Sequence, residues 1–211
     1  MRLRITFAKT DAMRYTSHLD LHRTWERTMR RARLPLAYSL GFNPRPRLNL
    51  GSALPLGFTG QAEVIDIWLE QEVPLVTIES ALQRALPPGL QIARLEQVDL
   101  RNPALQTEID ASEYVITLLE PAAGLEERLE TLLAASSLPR QRRGKSYDLR
   151  PLIQALQALP PDEQNRQRIL ALLSAREGAT GRPEEVLEAL GIDAQTSRIH
   201  RTRLVFRENR I

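Results

Sequence analysis

Two kinds of hydrophobic spacing follow one another along this chain in a fixed order, and that order restricts the fold more than any other feature. Leu3, Ile5 and Phe7 alternate with Arg2, Arg4 and Thr6, the period-two signature of a half-buried strand. Ser17 then offers an N-cap, with Asp20 in the first turn, and Leu21, Trp25, Thr28, Met29 and Ala32 recur at helical spacing until Pro35 ends the helix. Leu36–Leu40 and Arg47–Leu50 read as short strands around a proline-rich turn. Glu63–Leu69 is a clear strand, with Ile65, Ile67 and Leu69 on one face. A helix over Leu75–Leu86 stops at Pro87-Pro88-Gly89, and Leu90–Val98 is a last strand. This is β-α-β-β-α-β, the ferredoxin-like order.

The order then recurs. Glu113–Leu119 predicts a strand, Gly124–Ala135 a helix with Leu125, Leu129 and Leu132 inward, and Arg168–Ala175 a strand. Pro183 suits a first helical position, Gly191 the residue past the end, and Arg198–Phe206 a final strand. Residues 138–159 hold an arginine-rich stretch and a run, Leu149–Leu159, that fits strand and helix equally. The expectation is an α+β protein of two tandem ferredoxin-like domains, 1–100 and 113–211, joined by a linker over 101–112. Leu3, Ile5, Phe7, Trp25, Ile65, Ile67, Leu82, Ile116, Leu125, Leu129 and Leu187 are the expected core.

The chain has 211 residues and no cysteine, which excludes disulfides, thiolate metal sites, iron–sulfur clusters and a cysteine nucleophile. The start MRLRITFAKTDAMR lacks the apolar core of a signal peptide, and the uncharged run Leu48–Ala62 is broken by Pro55 and three glycines. A cytoplasmic protein with no membrane partner is therefore expected. The net charge is only +3, but residues 1–60 carry 11 Arg/Lys against 3 Asp/Glu, residues 61–135 carry 4 against 14, and residues 136–211 carry 14 against 9. Of the 29 basic residues only Lys9 and Lys145 are lysine. The planar fork of arginine suits phosphate and base stacking, so a polyanion is the natural ligand class.

Four stretches could carry chemistry. In Tyr15-Thr-Ser-His18-Leu-Asp20-Leu-His22, the two histidines are four apart on one helical face, with Tyr15 beside them. No third ligand follows at a metal-site spacing, so no metal is expected, and His18, His22 and Tyr15 are candidates only for a metal-independent catalytic role. Arg23, Arg27, Arg30 and Arg31 cover the polar face of the first helix, where Glu26 can offset one charge. Arg45 and Arg47 lie in the rigid stretch 41–57, rich in proline and glycine. Arg140, Arg142, Arg143, Lys145 and Tyr147 combine cations with an aromatic ring, a composition that holds single strands. Arg201 and Arg203 alternate on the last strand and could extend that surface.

The string SHLDLHRTWERTMRRARLPLAYSLGFNPRPRLNLGSALPLGFTGQAE, with the later GKSYDLRPLI and GRPEEVLEALG, resembles the bacterial radical SAM-linked proteins, encoded beside or fused to a radical SAM enzyme. The resemblance implies that enzyme as a partner and carries no activity of its own. The chain is not itself the enzyme, because that cluster needs three cysteines. The two-domain plan also resembles, more loosely, the CRISPR repeat-processing endoribonucleases, many of which use a histidine near the first helix, where His18 and His22 stand. Those enzymes carry a glycine-rich loop before the last strand, whereas Gly191-Ile-Asp-Ala-Gln-Thr-Ser197 has one glycine. The leading expectation is thus a non-catalytic RNA-binding accessory module, without cofactor, that serves a radical SAM enzyme. The alternatives are a metal-independent endoribonuclease using His18 or His22, and a pure protein-interaction subunit of the radical SAM enzyme.

Overall fold

A computed structural model of the chain describes residues 1–142 and 144–207. The chain divides into two compact units, Met1–Ile109 and Asp110–Ile211. The expected linker segment 101–112 holds a turn, a one-turn helix and the first residues of a strand.

The first unit runs β1 (Arg2–Lys9), α1 (His18–Arg31), β2 (Leu48–Leu50), β3 (Thr59–Trp68), α2 (Leu75–Ala85), β4 (Leu90–Val98) and α3 (Leu105–Glu108). Its strand order is β2-β3-β1-β4, all antiparallel, which is the ferredoxin-like arrangement. Ile5 stands opposite Ile65 on one side and Leu95 on the other. Leu3, Ile5 and Phe7 are fully buried, together with Leu21, Trp25 and Met29 of α1 and Ile78 and Leu82 of α2. Phe7 meets Trp25 edge-to-face at 4.8 Å between ring centres.

The ends of α1 follow from its sequence. Ser17 Oγ accepts the Asp20 N–H at 3.2 Å, the capping interaction expected there. At the other end Leu34 N–H reaches Met29 O and Arg33 N–H reaches Arg30 O, the paired bonds of a Schellman motif. The residue at the left-handed position is Arg33, at φ 55°, where glycine is the usual occupant.

The second unit repeats the order with an insertion. It runs β5 (Ile109–Leu118, whose first residue closes the preceding unit), α4 (Leu125–Ala134), β6 (Pro139–Arg142), β7 (Lys145–Asp148), β8 (Ile153–Leu159), β9 (Arg168–Arg176), β10 (Ala179–Thr180), α5 (Pro183–Ala189) and β11 (Ser197–Phe206). β8, β9, β5 and β11 lie side by side in that order, the same arrangement again. Pro183 opens α5, and Gly191 takes φ 69° just beyond it, as expected. The arginine-rich stretch is the β6–β7 hairpin, and the run 149–159 that fitted two states is a single 3₁₀ turn and β8. The leucines of 149–159 mimic helical spacing, but Pro151 and the pairing of β8 with β9 decide for strand. Every expected core residue is buried.

One buried ion cluster fixes the outer face of the first sheet. Asp66 has no exposed surface and Arg2 is 1% exposed. Arg2 donates Nε and Nη2 to Asp66, at 2.9 and 2.5 Å; Nη2 also donates to the carbonyl of Pro103, and Nη1 to that of Asn102. Arg4 bridges Asp66 and Glu108. Replacing the aspartate leaves the buried Arg2 guanidinium without its anion and the half-buried Arg4 with Glu108 alone, so Asp66→Ala is expected to cost about 3–5 kcal/mol. Urea unfolding of the variant against the parent measures this, and a loss under about 1 kcal/mol would show the cluster to be as weak as a surface pair.

Candidate functional site

The arginines of α1 do not form one uniform stripe. Arg23 pairs with Asp20 at 3.2 Å and Arg30 with Glu26 at 2.7 Å. Arg31 donates to the carbonyl of Ala85, at the end of α2, so its charge caps a helix instead of facing solvent freely. Beside the Glu26–Arg30 pair that the sequence allowed, Arg23 and Arg31 are thus also engaged. Arg27 is exposed and in no ion pair among the described residues. The Ser17 hydroxyl, followed by Arg23 and Arg27, holds the Asp20 carboxyl below its ordinary range. His18 and His22 are both half-buried on the first turns of α1, while Tyr15 is largely exposed. Among the described residues no three His, Asp or Glu side chains come together as a metal group.

Between α1 and β2 the chain forms an arm. Ala37 N–H bonds to Trp68 O, Arg47 N–H to Ala37 O, Trp68 N–H to Arg47 O, and Ser39 N–H to Arg45 O, all at 2.8 to 3.1 Å. The expected strand 36–40 is reduced to two bridges, Leu36 with Leu69 and Tyr38 with Pro46, because Pro44 and Pro46 have no N–H to continue a ladder. The expected strand 47–50 is observed as Leu48–Leu50. At the tip Leu40 and Phe42 are fully exposed, at 103% and 105%, and Tyr38 is 41% exposed. Arg45 and Arg47 are exposed, and the Arg47 guanidinium lies 4.9 Å from the centre of the Trp68 ring. From Arg27 to Ala62 there is no Asp or Glu, so this whole segment carries positive charge without an acidic residue of its own. Arg33, exposed at its strained position, belongs to the same segment and was not among the expected site residues. Sequence spacing could not mark it, because only the helix cap reveals that an arginine stands where glycine is favoured.

In the second unit, β6 and β7 form a two-stranded sheet of their own. Arg140 stands opposite Tyr147 and Arg142 opposite Lys145, which puts all four on one face. Arg143 lies outside the described residues. Arg142 and Lys145 enter no ion pair among the described residues. Tyr147 is half-buried; burial, followed by its hydrogen bond to Glu185, pushes its hydroxyl up to about 12. It is therefore held by α5 and is not the free stacking platform expected of it. Asp148 accepts the N–H groups of Leu138 and Arg150 at 2.7 and 2.9 Å, and these hold its carboxyl below its ordinary range.

The last strand corrects a further expectation. Arg201 has no exposed surface and so cannot join an open basic face. Arg203 is exposed but bonds Glu113 at 2.8 Å, with Thr202 on the same carboxylate, which lies below its ordinary range because of Arg203.

Residues 2–183 match a family described as "Uncharacterized protein conserved in bacteria (DUF2344)", and the chain belongs to it. No curated protein matches the chain. Among solved structures, a chain of a Cbf5-Nop10-Gar1 complex aligns at a TM-score of 0.53 and 12% identity, over 98% of this chain and 50% of that one. A chain of an archaeal box H/ACA sRNP Nop10-Cbf5 complex aligns at 0.46 and 12% identity, over 98% and 49%. The present chain thus spans about half the length of these structural relatives. The first likeness establishes a shared fold. Among the described residues no helix is long and apolar enough to cross a membrane.

The tyrosine hydrogen bond has a pH signature. A folded-state value near 12 against an ordinary 10.0 means that the neutral phenol's contribution is complete below pH 10.0 and lost as pH rises through about 12. Tyr147→Phe is therefore expected to lose stability less steeply than the parent across that window. Parallel slopes in chemical denaturation at each pH would show that Tyr147 ionises as freely folded as unfolded.

Proposed function

We propose that the protein is a non-catalytic RNA-binding module that acts with a radical SAM enzyme, and that the acid-free segment from α1 through the arm is its principal RNA-binding surface. The observation that carries this reading is Arg33. A non-glycine residue in the left-handed region costs about 1–2 kcal/mol, and such strain is retained where the side chain is used. Around it, Arg27, Arg45 and Arg47 offer cations that no described carboxylate neutralises, while Tyr38 and Phe42 offer ring faces. Arginine forks with exposed aromatics suit unpaired bases and their phosphates. The enzyme partner rests on the resemblance of the strings at 17–63, 144–153 and 181–191 to radical SAM-linked proteins.

Two variants test the RNA-binding surface. Arg33→Gly is expected to keep or raise the melting temperature while weakening binding of a single-stranded RNA, because glycine relieves the strain and removes the charge. Arg27→Glu with Arg45→Glu is expected to lower the slope of log affinity against log salt by about 1.4 units, near 0.7 for each phosphate that is no longer neutralised. Fluorescence anisotropy over about 50 to 200 mM salt reads both. Unchanged affinity in folded variants would remove the segment from the site.

A second reading is favoured by one observation, the full exposure of Leu40 at the arm tip. An aliphatic side chain is a poor stacking partner but a good anchor in a protein pocket. If the arm meets the radical SAM enzyme, Leu40→Ser with Phe42→Ser abolishes co-purification with the co-expressed enzyme and leaves RNA affinity intact. If the arm meets RNA, the enzyme is retained and RNA affinity falls.

A further inference from the structure

The β6–β7 ribbon is an addition to the six-element order of its unit. It is made of two short strands that pair only with each other, and Gly144 at φ 77° leads into the second of them. Its register places Arg142 directly across from Lys145 on the same face. Like charges so placed destabilise a two-stranded sheet, and a ribbon this short has little to offset them. Arg140 lies next on that face and has a buried Nε with no hydrogen-bond partner. Residues two apart on a strand are about 7 Å apart, and opposite residues about 5 Å apart. Three cations thus share a small patch of one ribbon face. Among the described residues neither Arg142 nor Lys145 enters an ion pair: Asp148 accepts backbone N–H groups, and Glu185, whose buried Oε2 has no hydrogen-bond partner, lies beside Tyr147.

We infer that this face is a clamp for the phosphate backbone of double-stranded RNA. The inference deepens the RNA-binding reading, on which it rests, by naming the class of RNA that meets the second unit. Closely spaced like charges that the fold leaves unneutralised are accounted for by a ligand that brings its own dense negative charge. The choice of duplex over single strand follows from Tyr147. Single-strand sites stack bases on free rings, and the one ring on this face is half-buried and tied to Glu185. What is left is a set of cations suited to shape and phosphate, which is how A-form duplexes are held. The arm of the first unit, with exposed Tyr38 and Phe42, has the complementary composition for unpaired nucleotides.

The test compares an RNA duplex of about 16 base pairs with a single strand of the same sequence, on the full chain. Arg142→Glu with Lys145→Glu is expected to weaken duplex binding roughly tenfold or more and to lower its salt slope by about 1.8 units. Single-strand binding should change less than about twofold. Arg142→Lys with Lys145→Arg keeps both charges and should keep duplex affinity, which separates charge from a folding defect. Equal weakening of both RNAs, or no change in duplex affinity, overturns the clamp while leaving RNA binding in place. A parent protein that binds neither RNA at low salt overturns the RNA reading itself, and the clamp with it.

Discussion

Asp66 is the interaction on which the first unit's arrangement depends. It sits with no solvent exposure between two guanidinium groups from the neighbouring strand. Burying the Asp66 and Arg2 charges, with Arg4 half-buried beside them, is expensive, and their attraction repays that cost only with good geometry and satisfied donors. Here the geometry supplies both. Arg2 spends its remaining donors on Asn102 and Pro103, and Arg4 spends one on Glu108. Burial by itself would lower the Arg4 value, yet its bonds to Asp66 and Glu108 hold it above the ordinary range. The cluster therefore ties β1, β3 and the segment 102–108 into one body. It reaches the arm as well: the Trp68 ring has Arg2 at 5.0 Å and Arg47 at 4.9 Å, and the Trp68 backbone bonds both strands of the arm base. An arm with a rigid root loses little entropy when its tip binds, whichever partner it meets.

That cluster also explains what could be read in the sequence and what could not. The alternation of Leu3, Ile5 and Phe7 is a hydrophobic signal, and it announced the strand and the core face together. The residues between them, Arg2 and Arg4, read as solvent-facing because arginine is rarely buried. Their burial depends on Asp66, some sixty residues away, and no local pattern encodes that pairing. Arg201 and Lys9 are parallel cases. Lys9 occupies a position that alternation marks as inward, and its ammonium is accepted there by the carbonyls of Arg14, Thr16 and Phe58. The helices were legible because their caps are local: Ser17 for α1 and Pro183 for α5. The inserted ribbon was not, since four-residue strands with mostly polar residues lack a hydrophobic period.

The candidate site was legible in composition and misleading in detail. A count of arginines treats each as available, but the structure sorts them into two groups. Arg2, Arg4, Arg23, Arg30, Arg31 and Arg203 are committed to carboxylates or carbonyls, and Arg201 is buried. Arg27, Arg33, Arg45, Arg47, Arg142 and Lys145 stand at the surface or on the ribbon face with no ion pair among the described residues. Helical spacing placed the α1 arginines on one face with Glu26 offsetting one of them, and the positions of Asp20 and Ala85 in space separate the rest. The information that distinguishes a structural arginine from an available one lies in its neighbours in space.

This sorting bears on why the chain uses 27 arginines and two lysines. A buried or bridging cation must satisfy several acceptors at fixed angles, and the five-donor fork does so where an ammonium cannot. Arg2 meets one carboxylate and two carbonyls at once, and Arg4 two carboxylates. Lys9, the buried lysine, has three carbonyls around it, which matches its three donors. Structural demand thus accounts for part of the arginine excess without any ligand. It does not account for Arg27, Arg33, Arg45 and Arg47, which lie in a stretch from Arg27 to Ala62 that has no carboxylate of its own, one of them at a glycine position. Nor does it account for Arg142 facing Lys145. Selection for folding alone would place an acidic or neutral residue at one of those sites, so the charges that remain unneutralised are the ones a binding function has to explain.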